Sequence, residues 1–265
     1  MIRKLTESDR QMTLDFLRPE AAINLFFIGD IEQDGFDKDF QEFWGSFNEE
    51  GQLRGVLLRY DTNYIPYSPF ADFDYAPFIE LIKKDEKHRQ VSGKGSIIAH
   101  FKEAFSDFSC RETYFCQLTE APTPKPCTFE IKQAVIADAP RIRELLNEIE
   151  EFSDTATNIE QIERVLKSGC GRMYYTESEE GILQNVVQTT AENSLSAMVV
   201  GVATRKAYRH QGLMNSCLSK LCYDLIHNEK KSLCLFYNNP EAGKIYHKLG
   251  FQTIDTWVML LRKEN

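Results

Sequence analysis

Two stretches of this chain, 129 residues apart, open on the same pattern. Ile2-Arg-Lys-Leu-Thr-Glu-Ser-Asp9 is followed by Met12, Phe16 and Leu17, and Ile131-Lys-Gln-Ala-Val-Ile-Ala-Asp138 by Ile142, Leu145, Leu146 and Ile149. Each reads as a short strand, an Asp able to cap a helix, and an apolar stripe at helical spacing. Pro140 falls in the first turn of the second helix, where a missing N–H does no harm. A chain that starts the same unit twice is expected to be a duplicated fold. Between the copies, Thr119-Glu-Ala-Pro-Thr-Pro-Lys-Pro-Cys127 places three prolines in nine residues. Such a segment continues neither a helix nor a central strand, so it is a linker or an edge segment. The expected division is 1–118, a Pro-rich linker 119–127, and 128–265.

A length of 265 residues accommodates one large domain or two of ordinary size. The net charge of −9 argues against a nucleic-acid partner held through phosphates and would suit a cationic substrate. No apolar run approaches the roughly 20 residues of a membrane span, and Ala197-Met-Val-Val-Gly-Val-Ala203 reads as a buried strand. The opening MIRKLTESDR lacks the apolar core of a signal peptide, so a cytoplasmic protein with no membrane partner is expected. Seven cysteines (110, 116, 127, 170, 217, 222, 234) show no CxxC or Cys/His ligand spacing. They are expected as buried thiols, with no metal site.

The C-terminal portion is the more informative. Its expected order is strand 129–135, helix 138–151, helix 158–168, strand 171–177, strand 183–191, strand 195–204, helix 211–228, strand 232–237, helix 239–249 and strand 251–262. Turn chemistry stands at Glu179-Glu180-Gly181 and Glu192-Asn193-Ser194. Strands alternating with crossover helices imply a mixed α/β (α+β) fold, a mixed sheet flanked by helices. In the N-terminal portion Asp74–Glu86 and Gly95–Phe105 look helical and Glu112–Leu118 looks like a strand. Gly93-Lys-Gly95 lacks the spacing of a phosphate-binding P-loop and reads as a turn.

Tyr208-Arg-His-Gln-Gly-Leu-Met-Asn215 joins the apolar strand to a helix whose stripe is Leu213, Cys217, Leu218, Leu221, Cys222, Leu225 and Ile226. The first turn of a helix has outward amides and the positive end of the dipole. Gly212 removes a Cβ and Arg209 adds a cation, so an anion would fit there; a plain tight helix start is the alternative. Further on, Asn239 can cap a helix, Pro240 suits its first position and Gly250 its end. Tyr246 lies two turns after Asn239 on the same face, either a half-buried aromatic or a functional hydroxyl.

Together these segments resemble the GNAT superfamily of acyl-CoA-dependent N-acetyltransferases. Arg209-His-Gln-Gly212-Leu-Met214 matches the family's (Q/R)-x-x-G-x-(G/A), with Met214 departing at the last position. Asn239, Ala242, Tyr246, Gly250 and Phe251 match N-x-x-A-x-x-x-Y-x-x-x-G-F. The resemblance covers about 128–262 and implies two GNAT-like domains, the first degenerate and without a cofactor motif. It implies transfer of acetyl from acetyl-CoA, as cosubstrate, to a small-molecule or peptide amine. The backbone of Arg209, His210, Gln211, Gly212, Leu213 and Met214 would hold the pyrophosphate. Val202, Ala203 and Thr204 would pair with the pantetheine arm, Asn239 would bond beside it, and Tyr246 would donate a proton to the leaving thiolate. An alkylammonium must also lose a proton, for which Glu192 is a candidate and a water relay another. The alternative is a GNAT-fold acyl-CoA sensor or scaffold without turnover, motivated by Met214 and the unassigned base. An interaction module built from two similar halves would bind no CoA.

Overall fold

The computed structural model of the protein describes residues 1–149 and 158–263. These form two compact units whose segments interleave along the chain. The first comprises Met1–Cys116, Phe236–Gly243 and Thr253–Asn265, the second Gln117–Leu235 and Lys244–Gln252.

The first unit contains strands β1 (Ile2–Lys4), β2 (Gln41–Phe47), β3 (Leu53–Tyr60), β4 (Asn63–Tyr67), β5 (Gln90–Lys94) and β6 (Ser109–Leu118) as far as Cys116. Helices α1 (Arg10–Leu17), α2 (Leu25–Asp34), α3 (Ala76–Lys84) and α4 (Gly95–Ile98) flank them. The second unit contains β7 (Lys132–Gln133), α5 (Ala139–Asn147), α6 (Ile159–Ser168), β8 (Met173–Glu177), β9 (Leu183–Thr190), β10 (Ser196–Thr204), α7 (Leu213–Tyr223) and β11 (Ser232–Tyr237) as far as Leu235, the last two residues of that strand belonging to the first unit. Helix α8 (Pro240–Lys248) and strand β12 (Gln252–Leu261) complete the chain.

The duplication is visible in the pairing. In the first unit β1–β2, β2–β3 and β3–β4 are antiparallel and β4–β5 parallel. In the second, β7–β8, β8–β9 and β9–β10 are antiparallel and β10–β11 parallel. Each is a mixed sheet that turns from hairpins to a crossover at its fifth strand. The two Asp residues of the repeated openings reach backward rather than forward. Asp9 accepts from Thr6 N at 2.9 Å and Asp138 from Val135 N at 3.0 Å, closing a 3-10 turn before each helix. This corrects the expectation that they cap α1 and α5, because the intervening turn already satisfies the strand-to-helix bend.

Alternation decides the core. Met173 and Tyr175 join Ile142, Leu145, Leu146 and Val186 in one cluster under α5. Tyr174, pointing the other way as strand period demands, donates its hydroxyl to Asp224 at 2.8 Å. Every apolar residue expected on the 213–226 stripe is buried, each large one contributing ~2 kcal/mol.

Several boundaries differ from the sequence reading. The helix expected at 211–228 begins at Leu213, because Gly212 takes a left-handed φ of +80°, and continues from Asp224 to Asn228 as a π-helical turn. The strand expected at 129–135 shortens to Lys132–Gln133. Helix 138–151 is Ala139–Asn147, residues 150 and 151 lying outside the described ones. The helix expected over 95–105 is α4 followed by a 3-10 turn at Ala99–Phe101. Gly93 and Gly95 are not a turn. Gly93 lies within β5 opposite Val258, and Gly95 opens α4 where a Cβ would stand 2.2 Å from Thr256 Oγ1. Gly95 thus serves a close approach to β12, which pairs antiparallel with β5 from Trp257–Lys94 to Leu261–Gln90. None of the seven cysteines is in a disulfide; Cys116, Cys217, Cys222 and Cys234 are buried, but Cys110 and Cys127 are exposed, against expectation.

Candidate acyl-CoA site

Strand β10 carries a register shift between Val200 and Ala203, where Gly201 takes φ +56°. A Cβ at Gly201 would lie 2.1 Å from Gln188 Nε2, so the bulge requires glycine. Pairing with β9 resumes at Ala203 and Thr204, whereas the parallel register with β11 ends at Met198–Cys234. Within this unit, Val199–Thr204 therefore keeps one edge without a strand partner. Such an edge can pair with an extended amide-bearing ligand.

Beyond Thr204 the chain makes a 3-10 turn at Lys206–Tyr208 and is pinned back by Arg209 Nε donating to Thr204 O at 3.2 Å. His210 then adopts φ +64° and Gly212 φ +80°. Two left-handed residues so close turn successive amides the same way, the geometry of an anion-binding nest. The helix-end hydrogen bond is Ser216 N to Gly212 O at 3.1 Å. Among the described residues, the amides of His210 through Asn215 donate to no backbone oxygen. A Cβ on Gly212 would meet nothing within 4 Å, so its space opens outward. Arg209, His210, Gln211 and Gly212 are exposed, Leu213 is buried in the core, and Met214 is half-buried. Among the described residues neither Lys206 nor Arg209 has an ion-pair partner. Open amides, a dipole end and unpaired cations fit a pyrophosphate.

Asn239 is exposed and uses Oδ1 to accept from Glu241 N at 2.9 Å, the expected cap of α8, which leaves its amide nitrogen as the donor side. Tyr246 is half-buried on α8 and meets the Phe251 ring edge-on at 6.1 Å. Burial pushes its phenol above the ordinary tyrosine range, keeping the proton on at neutral pH.

Glu192 is withdrawn from the role of base. Its side chain is 1% exposed and held by Arg172 in a two-pronged pair at 3.0 and 2.7 Å, with Lys231 at 3.4 Å. The Thr189 hydroxyl donates to it as well. It anchors the start of β10, whereas the turn of residues 205–212 follows the end of that strand. Two features escape the motif reading. Gly201 is signalled only by a glycine inside an apolar strand, and the left-handed His210 by nothing local.

A duplicated mixed α/β fold, with a turn of open amides after a bulged strand, defines the class. The chain belongs to the GNAT acetyltransferase family, whose model matches residues 94–260. A Drosophila protein of solved structure is similar in fold at TM-score 0.71 and 14% identity, covering 99% of each chain. A tandem GNAT protein from the clavulanic acid biosynthesis pathway matches at TM-score 0.61 and 15% identity, over 100% of this chain and 99% of its own. A GCN5-related N-acetyltransferase from Sphaerobacter thermophilus matches at 0.64 and 12%, over 98% and 94%. No curated protein sequence matches significantly. Among the described residues, no helix is long and apolar enough to cross a membrane.

Proposed function

We propose that the protein transfers an acetyl group from acetyl-CoA to a primary amine, with the chain divided functionally as 1–118 and 128–265 around the linker 119–127. The observation that carries this is the turn at 205–212, with outward amides, an open left-handed Gly212 and an unpaired Arg209 at the head of an eleven-residue helix. The amides of His210–Met214 hold the pyrophosphate and Arg209 adds charge. The free edge at Val202, Ala203 and Thr204 receives the pantetheine amides, and Asn239 donates beside them. The amine nitrogen attacks the thioester carbonyl; a C–N bond forms, the C–S bond breaks, and Tyr246 gives its phenolic proton to the thiolate. The attacking nitrogen loses its own proton to a group other than Glu192.

The test is thiol release from acetyl-CoA across a panel of amines, with CoA binding measured on the same sample. Tyr246→Phe should lower kcat by about 100-fold while the dissociation constant for CoA stays within about twofold. Unchanged kcat would remove Tyr246 from the mechanism. Binding without turnover across the panel would favour the sensor reading, which the engaged Glu192 carboxylate supports.

A further inference from the structure

We propose that Asp30, with Phe26 and Phe236, forms a receptor within the first unit for the ammonium group of an amine bearing an aromatic or apolar body. The binding does not depend on the acetyl-transfer reading above.

All the side chains concerned belong to the first unit. Phe26, Asp30 and Asp34 recur at four-residue spacing on α2, which puts them on one face of the helix. Gly29, on the same side, interposes no side chain. The Phe26 ring stacks against Phe236 with centroids 6.4 Å apart and meets Trp257 edge-on at 5.8 Å. Phe236 in turn lies 5.3 Å from Trp257 and 4.9 Å from Phe115. Trp257 and Phe115 are buried, while Phe26 and Phe236 are half-exposed. The result is an aromatic platform with two accessible rings and a carboxyl one helical turn along.

That carboxyl is half-buried, and among the described residues it has neither a hydrogen bond nor an ion pair. Gln41 Nε2 reaches the Asp30 backbone oxygen, at 3.3 Å, not its side chain. The cation on α1, Arg10, donates to Ile31 O at 2.8 Å and pairs with Glu7. The charged neighbour that acts on Asp30 is Asp34, and the packed rings carry no charge. Burial, reinforced by Asp34, pushes the Asp30 carboxyl up to about 8. A buried carboxyl without a partner is unfavourable, and an ammonium supplies what is missing: an opposite charge and several donors. The ring faces favour the same cation and the apolar body attached to it.

The experiment is calorimetric titration of the full chain with 2-phenylethylamine at pH 7, in two buffers of different ionisation enthalpy. Binding should release about one proton, because an ammonium drives ionisation of a carboxyl that is otherwise protonated. 3-Phenylpropanoate, of similar shape and opposite charge, should not bind. Asp30→Asn should weaken the amine about tenfold or more and abolish proton release. Phe236→Leu should weaken it about fivefold and retain the release. Proton release by the wild-type chain needs no variant, so the proposal is testable even if a substitution unfolds the protein. Failure of the wild-type chain to bind the amine, equal binding of the acid, or unchanged affinity in a folded Asp30→Asn variant would overturn it. Separate titration with acetyl-CoA divides the two readings. Asp30-dependent amine binding without CoA binding removes the transferase reading and supports the receptor. CoA binding without amine binding removes the receptor alone.

Discussion

The same topological position is built twice in this chain, and the two versions have opposite chemistry. Between the fourth strand and its crossover helix the second unit has Arg205-Lys-Ala-Tyr-Arg-His-Gln-Gly212, and the first has Ser68-Pro-Phe-Ala-Asp-Phe-Asp-Tyr75. The second turn is cationic, has two left-handed residues and leaves its helix-end amides open. The first has acidic side chains and no positive φ. Its Phe73 lies so close over β3 that a Cβ on Gly55 would meet the ring at 2.5 Å. At its helix end Ala76 N is taken by Asp74 at 2.9 Å, and Pro77 has no amide to offer. Arg54 covers Phe70 at 3.4 Å and pairs with Asp72, closing the turn onto its own sheet. The same topology therefore carries two different turns. Open amides and residues at positive φ belong to the second, and the first has neither.

The comparison can be broken or sharpened by substitution. The largest effect is expected from Gly212→Val, since a β-branched residue resists φ +80°. CoA affinity should fall about 100-fold or more by calorimetry, whereas Phe73→Ala in the other turn should leave it unchanged. Next is Glu192→Gln, which removes the more buried of the two carboxylates holding Arg172 and Lys231 and leaves Glu229. Urea unfolding should show a loss of ~2 kcal/mol, with CoA affinity preserved in the folded fraction. Arg209→Ala should weaken CoA by about five- to tenfold at low salt, and the difference should shrink as salt rises. The smallest effect concerns the repeated openings. Its hydrogen-bonded pair with Arg3 lowers the Asp9 carboxyl to about 2. A depressed carboxylate contributes stability above its unfolded value near 3.8, and that contribution fades as pH falls toward 2. Asp9→Asn should flatten the acid limb of the stability curve in that window, as followed by circular dichroism.

Much of this was written in local chemistry. The paired openings, the 213–226 stripe and the Asn239 cap depend on neighbours within a turn or two, and the spacing of residues shows them directly. Gly212 belongs there too, because a left-handed helix start needs glycine or a short polar residue. What the sequence hid is non-local. Gly93 and Gly95 look like turn residues until β12 lies against them. Glu192 looks like a solvated turn acid until Arg172, twenty residues earlier, folds back onto it. Nothing local marks Asp30, whose setting depends on rings contributed from Phe236 and Trp257. In each case the partner is chosen by tertiary packing, which no periodicity records.

The last strand carries a consequence for how the chain matures. β12 and the segment Phe236–Gly243 belong to the first unit, although more than a hundred residues of the second are synthesised in between. β5 therefore waits, with one backbone edge unpaired, until residues 252–261 have left the ribosome. Pairings of such sequence separation form slowly, and an unfilled strand edge is open to other chains meanwhile. The N-terminal half is thus the first to be made and the last to be finished, and its solubility during synthesis depends on a strand it does not yet possess.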